Sequence, residues 1–217
     1  MKSDLKIDWA SYEAAKFAVC NWHYSGAMPV GKLVKIGAWE KGKFIGVVLF
    51  GRGANNNMSK PYRLRQDQAC ELVRVALRDH KASVSRIVRI ALSFLKRQSP
   101  SLQLIVSYAD PDQGHYGGIY QAGGWLYRGI THPSDKFWHN DRWVHAKTIH
   151  GIDRSRLKKK TVQGKHIYLM PFTKAMKKQI ESMSKPYPKR ASTETSDTLG
   201  GQPGESGATP TDALHTS

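Results

Sequence analysis

Leu104-Ile105-Val106-Ser107-Tyr108-Ala109-Asp110-Pro111, continuing through Asp112 to Gly129 as DQGHYGGIYQAGGWLYRG, is the stretch that decides the fold. Its apolar opening predicts a buried strand over Leu102–Val106 that ends in a polar corner at Ser107–Pro111. A Gly-rich segment with helical potential follows and ends in Tyr120-Gln121-Ala122-Gly123-Gly124-Trp125, and an aromatic strand then returns. Strand, polar corner, short helix and return strand place chemistry-bearing side chains at the carboxyl end of a strand. Taken alone, Asp110 before Pro111 reads as a turn residue.

Upstream, Ser83 or Ser85 is positioned to cap a helix reaching Gln98. Its residues Val84, Ile87, Val88, Ala91, Leu92 and Leu95 keep the three-to-four spacing of a buried face. Cys70–Leu77 is the preceding strand, with Glu71 and Arg74 as its polar members. Lys32–Trp39 and Lys43–Phe50 form a hairpin with glycine at the turn. Between them and Cys70, Gly51–Asp67 is a long polar loop, a class that tends to be functional. At the start, Asp8 is expected to cap a helix with Trp9, Tyr12, Phe17 and Cys20 on its apolar face. Downstream, Trp143–Lys147 and His166–Met170 are strand candidates, and Pro171 opens a short basic helix to Ser184. Residues 1–184 are thus one α/β (α+β) domain. From Lys185 the Ser/Thr/Gly/Pro-rich chain is expected to be disordered.

The chain has 217 residues and a formal charge of +17. Ala191–Ser217 holds four acids and no Lys or Arg, so adding those charges back leaves +21 on Met1–Arg190. That excess points to a polyanionic partner, because neutralising phosphates releases counterions. The runs Arg154–Lys160 and Lys174–Arg190 are the expected phosphate contacts. Cys20 and Cys70 lack metal or redox spacing and read as reduced core residues, which suggests a cytoplasmic setting. No apolar run has the length of a membrane span, so no membrane partner is expected.

Five segments together carry a resemblance: His23-Tyr24-Ser25-x-x-Met28-Pro29-x-Gly31-Lys32, Gly46–Asn55, Glu71–Leu77, Gly114–Ala122 and Gly164-Lys165-His166-x-Tyr168-x-Met170-Pro171. In order and spacing, from about Trp9 to Ile180, this array resembles the phage Mom family of DNA adenine-modifying proteins. The resemblance implies a GNAT-like fold: a mixed, mostly antiparallel sheet with splayed middle strands, flanked by helices. It implies an enzyme that converts adenine in double-stranded phage DNA to N6-(carbamoylmethyl)adenine inside the host cell and so obstructs restriction endonucleases. His23, Tyr24, Arg74, Asp110 and Tyr120 fall where such proteins carry functional residues.

Chemistry assigns roles within that set. Adenine N6 needs a group to take its proton and donors for the developing oxyanion. Asp110 is the first candidate for the base and His23 the second. Tyr120 is expected to donate to the leaving group, with Tyr108 in reserve. The plainer readings are a turn aspartate, a helix-end histidine, and an Arg74 ion pair with Glu71 or Asp110. Trp22, Tyr24, Trp125 and Trp138 are candidates for stacking on an extruded base.

The donor side departs from the GNAT pattern. Acetyl-CoA enzymes of that class carry Arg/Gln-x-x-Gly-x-Gly/Ala before the helix, whereas Arg78–Arg86 here has no glycine. Ser83, Ser85 and Arg86 at the helix start, with Ser107 and Tyr108 at the strand end, are the donor-side candidates. The implied product carries a CH2 on N6 and a terminal amide, the atoms of a rearranged glycyl unit. The donor is therefore either acetyl-CoA or an aminoacyl carrier such as glycyl-tRNA, which would make tRNA a second partner. His132, His139, His145 and His150, near Asp135 and Asp141, match no standard metal signature. No metal ligands are assigned, and iron is kept as a minor expectation. Two competing classes are a conventional N-acetyltransferase acting on a protein or small amine, and a non-catalytic nucleic-acid-binding protein.

Overall fold

The computed structural model describes residues 4–53, 55, 57–146, 149 and 151–188. Its main sheet has seven strands: β1 (Leu5–Trp9), β2 (Leu33–Glu40), β3 (Lys43–Gly51), β4 (Ala69–Leu77), β5 (Leu104–Ala109), β6 (Leu126–Ile130) and β10 (His166–Pro171). They lie in the order β1-β2-β3-β4-β5-β10-β6. Every pairing is antiparallel except β4 with β5.

That parallel pairing is short and positions the site. It covers Ala69–Leu72 against Leu104–Ser107, after which the two strands part. Opposite β3, the register steps from Leu49↔Arg74 to Phe50↔Leu72, so Val73 is an extra residue in a β-bulge. Such a bulge bends its strand and re-aims the side chains beside it.

Helix α2 (Val84–Gln98) starts where Ser83 accepts the Arg86 N–H and buries Ile87, Val88, Ala91, Leu92 and Leu95, the expected face. They pack with Phe50, Leu72, Ile105 and Trp125 on one side of the sheet, where α3 (Gly118–Ala122) adds Tyr120. On the other side, α1 (Tyr12–Trp22) covers Val47, Leu49 and Ala76. On that same side, α4 (Lys174–Glu181), shorter than expected, covers Leu104, Val106, Ile167 and Leu169.

Three expectations are corrected. Asp8 lies in β1 and Ser11 caps α1. That helix buries Ala15, Ala18 and Val19 and leaves Tyr12 and Phe17 about half exposed, because only small residues fit against the sheet, while Trp9, also about half exposed, ends β1. Cys20 is exposed rather than in the core, while Cys70 packs against it. The segment Thr131–Lys165, read as one strand and a cationic run, builds a second sheet in the order β8-β7-β9 from β7 (Ser134–His139), β8 (Arg142–His145) and β9 (Lys159–Val162).

Past α4, Lys185 N–H donates to the Tyr127 carbonyl at 2.7 Å and Tyr187 Oη to that of Trp125 at 2.7 Å. The segment 185–188 therefore lies along the start of β6, while residues 189–217, the rest of the expected disordered tail, lie outside the described residues. No described helix is long and apolar enough to cross a membrane.

Candidate active site

Where β4 and β5 part, a cleft of about 750 Å³ opens. His23 and Tyr24 enter it from the end of α1, Glu71 and Arg74 from β4, and Tyr108 and Asp110 from the end of β5. Gly114–Gln121, Lys165 and Pro188 close the remaining wall, and His80 and Val84 carry the cleft to the start of α2. The fold thus gathers His23, Tyr24, Arg74, Tyr108, Asp110 and Tyr120 in one place. Ser83, Ser85 and Arg86 lie outside the lining: Ser83 caps α2, and its Oγ is 3.3 Å from that of Ser85.

Asp110 is heavily engaged. Its Oδ1 accepts the Asp112 N–H at 3.1 Å, which caps a 3-10 turn at Pro111–Gln113. Its Oδ2 pairs with Lys165 Nζ at 2.9 Å. The turn reading is therefore realised, and the same side chain lines the cleft.

Glu71 was legible only as a possible partner for Arg74, yet it holds the central carboxylate. Burial pushes its pKa up from 4.5 to about 7, against the pull of Arg74 and Lys165. It faces the backbone of Gly53 (φ +70°), where a Cβ would meet Oε2 at 2.0 Å. Its field also reaches Tyr108 and Tyr120, helping burial push both phenols up to about 12.

Hydrogen bonds fix three of the neighbours. Ser107 Oγ lies 2.9 Å from the Leu72 carbonyl and 2.7 Å from Tyr120 Oη. A carbonyl can only accept, so the single Ser107 proton goes to Leu72 and Tyr120 O–H donates to Ser107. In this arrangement the Tyr120 proton is directed at Ser107, while its side chain lines the cleft. His23 Nδ1 accepts the Ser25 N–H at 3.1 Å and lies 2.8 Å from Ser25 Oγ, which accepts Arg74 Nε–H at 3.2 Å. With Nδ1 accepting, neutral His23 carries its proton on Nε2 and serves as a donor. Burial, Arg74 and His115 pull its pKa down to about 4, so it stays neutral. Arg74 also donates to the Val73 carbonyl.

Aromatic rings line the mouth. Tyr24, about half exposed, lies between His23 and His115 with ring centroids 4.3 and 5.3 Å away. Trp22 lines the cleft, whereas Trp125 is 1 % exposed and belongs to the core. Buried behind the lining, Tyr168 O–H donates to the Tyr116 carbonyl and accepts Gln121 Nε2–H at 3.0 Å. Gly117 (φ +80°) permits this, since a Cβ there would lie 2.2 Å from the Tyr168 ring.

On the donor side, the turn ahead of α2 carries a carboxylate from β2. The Lys81 and Ala82 N–H groups ahead of α2 both donate to the Glu40 carboxylate, at 2.8 and 2.6 Å. Those bonds pull the Glu40 pKa down. Glu40 thus satisfies two amides just ahead of the Ser83 cap of α2. For iron, the described residues contain no group of three or more His, Cys, Asp or Glu able to hold a metal ion. Asp135 binds Lys159 and Thr161 instead, and His150 lies outside the described residues.

Splayed central strands with a cleft between them define the class: this is a GNAT-like fold. It is similar to the spermidine N-acetyltransferase of Vibrio cholerae, with a TM-score of 0.50 and 12% identity over 81% of this chain and 98% of that one. It is equally similar to AAC(6')-Ib solved with paromomycin and acetyl-CoA, with a TM-score of 0.50 and 10% identity over 82% and 98%. The chain belongs to the Mom protein family, which it matches over residues 4–189. It is 27% identical over 155 residues to the methylcarbamoylase Mom of Escherichia phage Mu, covering 70% of this chain. It spans 64% of the length of that relative.

Proposed function

We propose that this chain modifies adenine N6 in double-stranded phage DNA, leaves N6-(carbamoylmethyl)adenine, and thereby protects the DNA from host restriction endonucleases. Membership in the Mom family is the observation that carries this reading. The cleft supports it with residues suited to the chemistry. Glu71, titrating near 7, takes the N6 proton as the new bond forms. His23 Nε2–H donates to the developing oxyanion, and Tyr24 stacks on a base extruded from the duplex. Arg74 holds Ser25, and through it the orientation of His23. Asp110 acts as a positioning residue for Lys165.

Glu40 and the atoms of the proposed product support one donor class. With Glu40 on the turn before α2, a donor anchored by pyrophosphate is disfavoured. A glycyl ester such as that on charged tRNA needs no such anchor. N6 attacks the ester carbonyl, a C–N bond forms, and the ester C–O bond breaks as the departing oxygen takes the proton. The N6-glycyl adduct and the carbamoylmethyl product are isomers. The glycyl amine attacks purine C6 to give a five-membered spiro ring. The original C6–N6 bond then breaks as one proton passes to the departing nitrogen. The old N6 ends as the terminal amide, and the glycine nitrogen becomes the new N6.

Expression in bacteria fed [15N]glycine, followed by nucleoside mass spectrometry of digested DNA, tests this. The expected product is a carbamoylmethyl deoxyadenosine with the label on the nitrogen attached to purine C6, absent with Glu71→Gln. Label confined to the amide would exclude the rearrangement, and unmodified DNA with soluble protein would exclude the activity.

A further inference from the structure

The small sheet has two chemically distinct faces. Cross-strand register sets Lys136 opposite Lys160, and Trp138 opposite Trp143. These four side chains share a face, because residues two apart on a strand do. Lys158 joins them, its carbonyl accepting the Trp138 N–H at 2.8 Å. Trp138 and Trp143 meet edge to face at 5.4 Å, and Lys160 Nζ stands 4.6 Å above the Trp143 ring. Trp138 remains 40 % exposed. Of the acids near this sheet, Asp135 pairs on the opposite face with Lys159 and Thr161, Asp153 pairs with Arg156 and Ser155, and Asp141 lies in the turn between β7 and β8.

Its attachment puts the base of this sheet beside the cleft. The excursion leaves β6 at Ile130 and re-enters β10 at His166, a residue paired with both Ile130 and Ala109. Thr131 N–H donates to the Lys165 carbonyl at 2.9 Å, and Lys165 N–H to Thr131 Oγ1 at 2.8 Å, clamping its base. Lys165 is also the residue that pairs with Asp110 in the cleft wall.

We propose that the Lys136–Trp138–Trp143–Lys158–Lys160 face binds an unpaired DNA strand next to the target base, with Trp138 stacking on a base and the lysines on its phosphates. This rests on the reading that an adenine is extruded into the cleft, which leaves neighbouring nucleotides unstacked. Lysines interleaved with an exposed indole form the stacking-plus-charge platform that suits single strands and tolerates any sequence. An acidic protein would use the charge but would have no need for the indole.

Fluorescence anisotropy with labelled 12-nucleotide single-stranded DNA, a matching duplex and a matching RNA tests the assignment without turnover. It therefore succeeds or fails independently of whether adenine is modified. Trp138→Ala should weaken single-strand binding roughly tenfold, as loss of one base stack predicts, and should affect the duplex less. Trp138→Phe should retain most of the affinity. Lys136→Gln with Lys160→Gln should make the log-affinity against log-salt slope shallower by about 1.4, at about 0.7 per phosphate contact. Trp138 lies outside the three core clusters, so matched thermal unfolding controls for folding. Unchanged single-strand affinity in Trp138→Ala, equal losses with Ala and Phe, or tighter binding of RNA than of DNA would overturn it.

Discussion

Replacing Glu71 by Gln should inactivate the protein and, above neutral pH, make it more stable. The carboxyl is held in a largely buried site that raises its pKa from 4.5 to about 7. The folded state therefore binds more protons than the unfolded chain between those values, and stability falls as pH rises through that window. The rise corresponds to about 3 kcal/mol, fully expressed above pH 7 and absent below about 4.5. Glutamine keeps the shape without the charge, so it should recover up to about that amount at pH 8 and little at pH 4.5. Urea denaturation of both proteins at the two pH values reads the difference. In parallel, wild-type modification rate should climb with pH through about 7 while the variant stays inactive. A variant that is less stable at pH 8, or that still modifies DNA, would refute the assignment of Glu71 as a strained base.

Gly53→Ala should reproduce much of the catalytic loss, because its Cβ would strike Glu71 Oε2 and its φ of +70° disfavours alanine; crystallography of the variant should show the carboxylate displaced. Tyr120→Phe removes the proton donated to Ser107 and should cost about 1 kcal/mol of stability while leaving measurable turnover, since the hydroxyl faces Ser107. Glu40→Ala frees the Lys81 and Ala82 N–H groups, so calorimetry should detect pyrophosphate binding in the variant and none in wild type. Equal binding by both would remove Glu40 as the obstacle. His23, with its pKa down at about 4, should leave the activity profile above pH 5 without a step of its own, as NMR titration of its ring can verify.

Much of this architecture is legible in the sequence for identifiable reasons. Helix α2 carries large aliphatic residues at helical spacing, and the β2–β3 hairpin turns at Lys41-Gly42, where both residues have positive φ. The opening of the chain misleads because α1 buries alanines and exposes aromatics, the reverse of what bulk-weighted periodicity expects. Strands β7 and β9 give no alternating signal because neither strand has a buried residue on either face. Within the site, the β5 corner and the His23-Tyr24 pair stand out by their motifs. Glu71 had a fainter signal, an acid inside an otherwise apolar strand. Glu40 had none, since its contacts to Lys81 and Ala82 span some forty residues.

The most direct test of the account is reconstitution: purified full-length chain, an adenine-containing duplex, and either glycyl-tRNA or acetyl-CoA as sole donor, with products resolved by nucleoside mass spectrometry. N6-(carbamoylmethyl)deoxyadenosine formed with glycyl-tRNA, and no adduct with acetyl-CoA, is the predicted result. Formation of that product from acetyl-CoA alone, or an N6-acetyl adduct in its place, would contradict it.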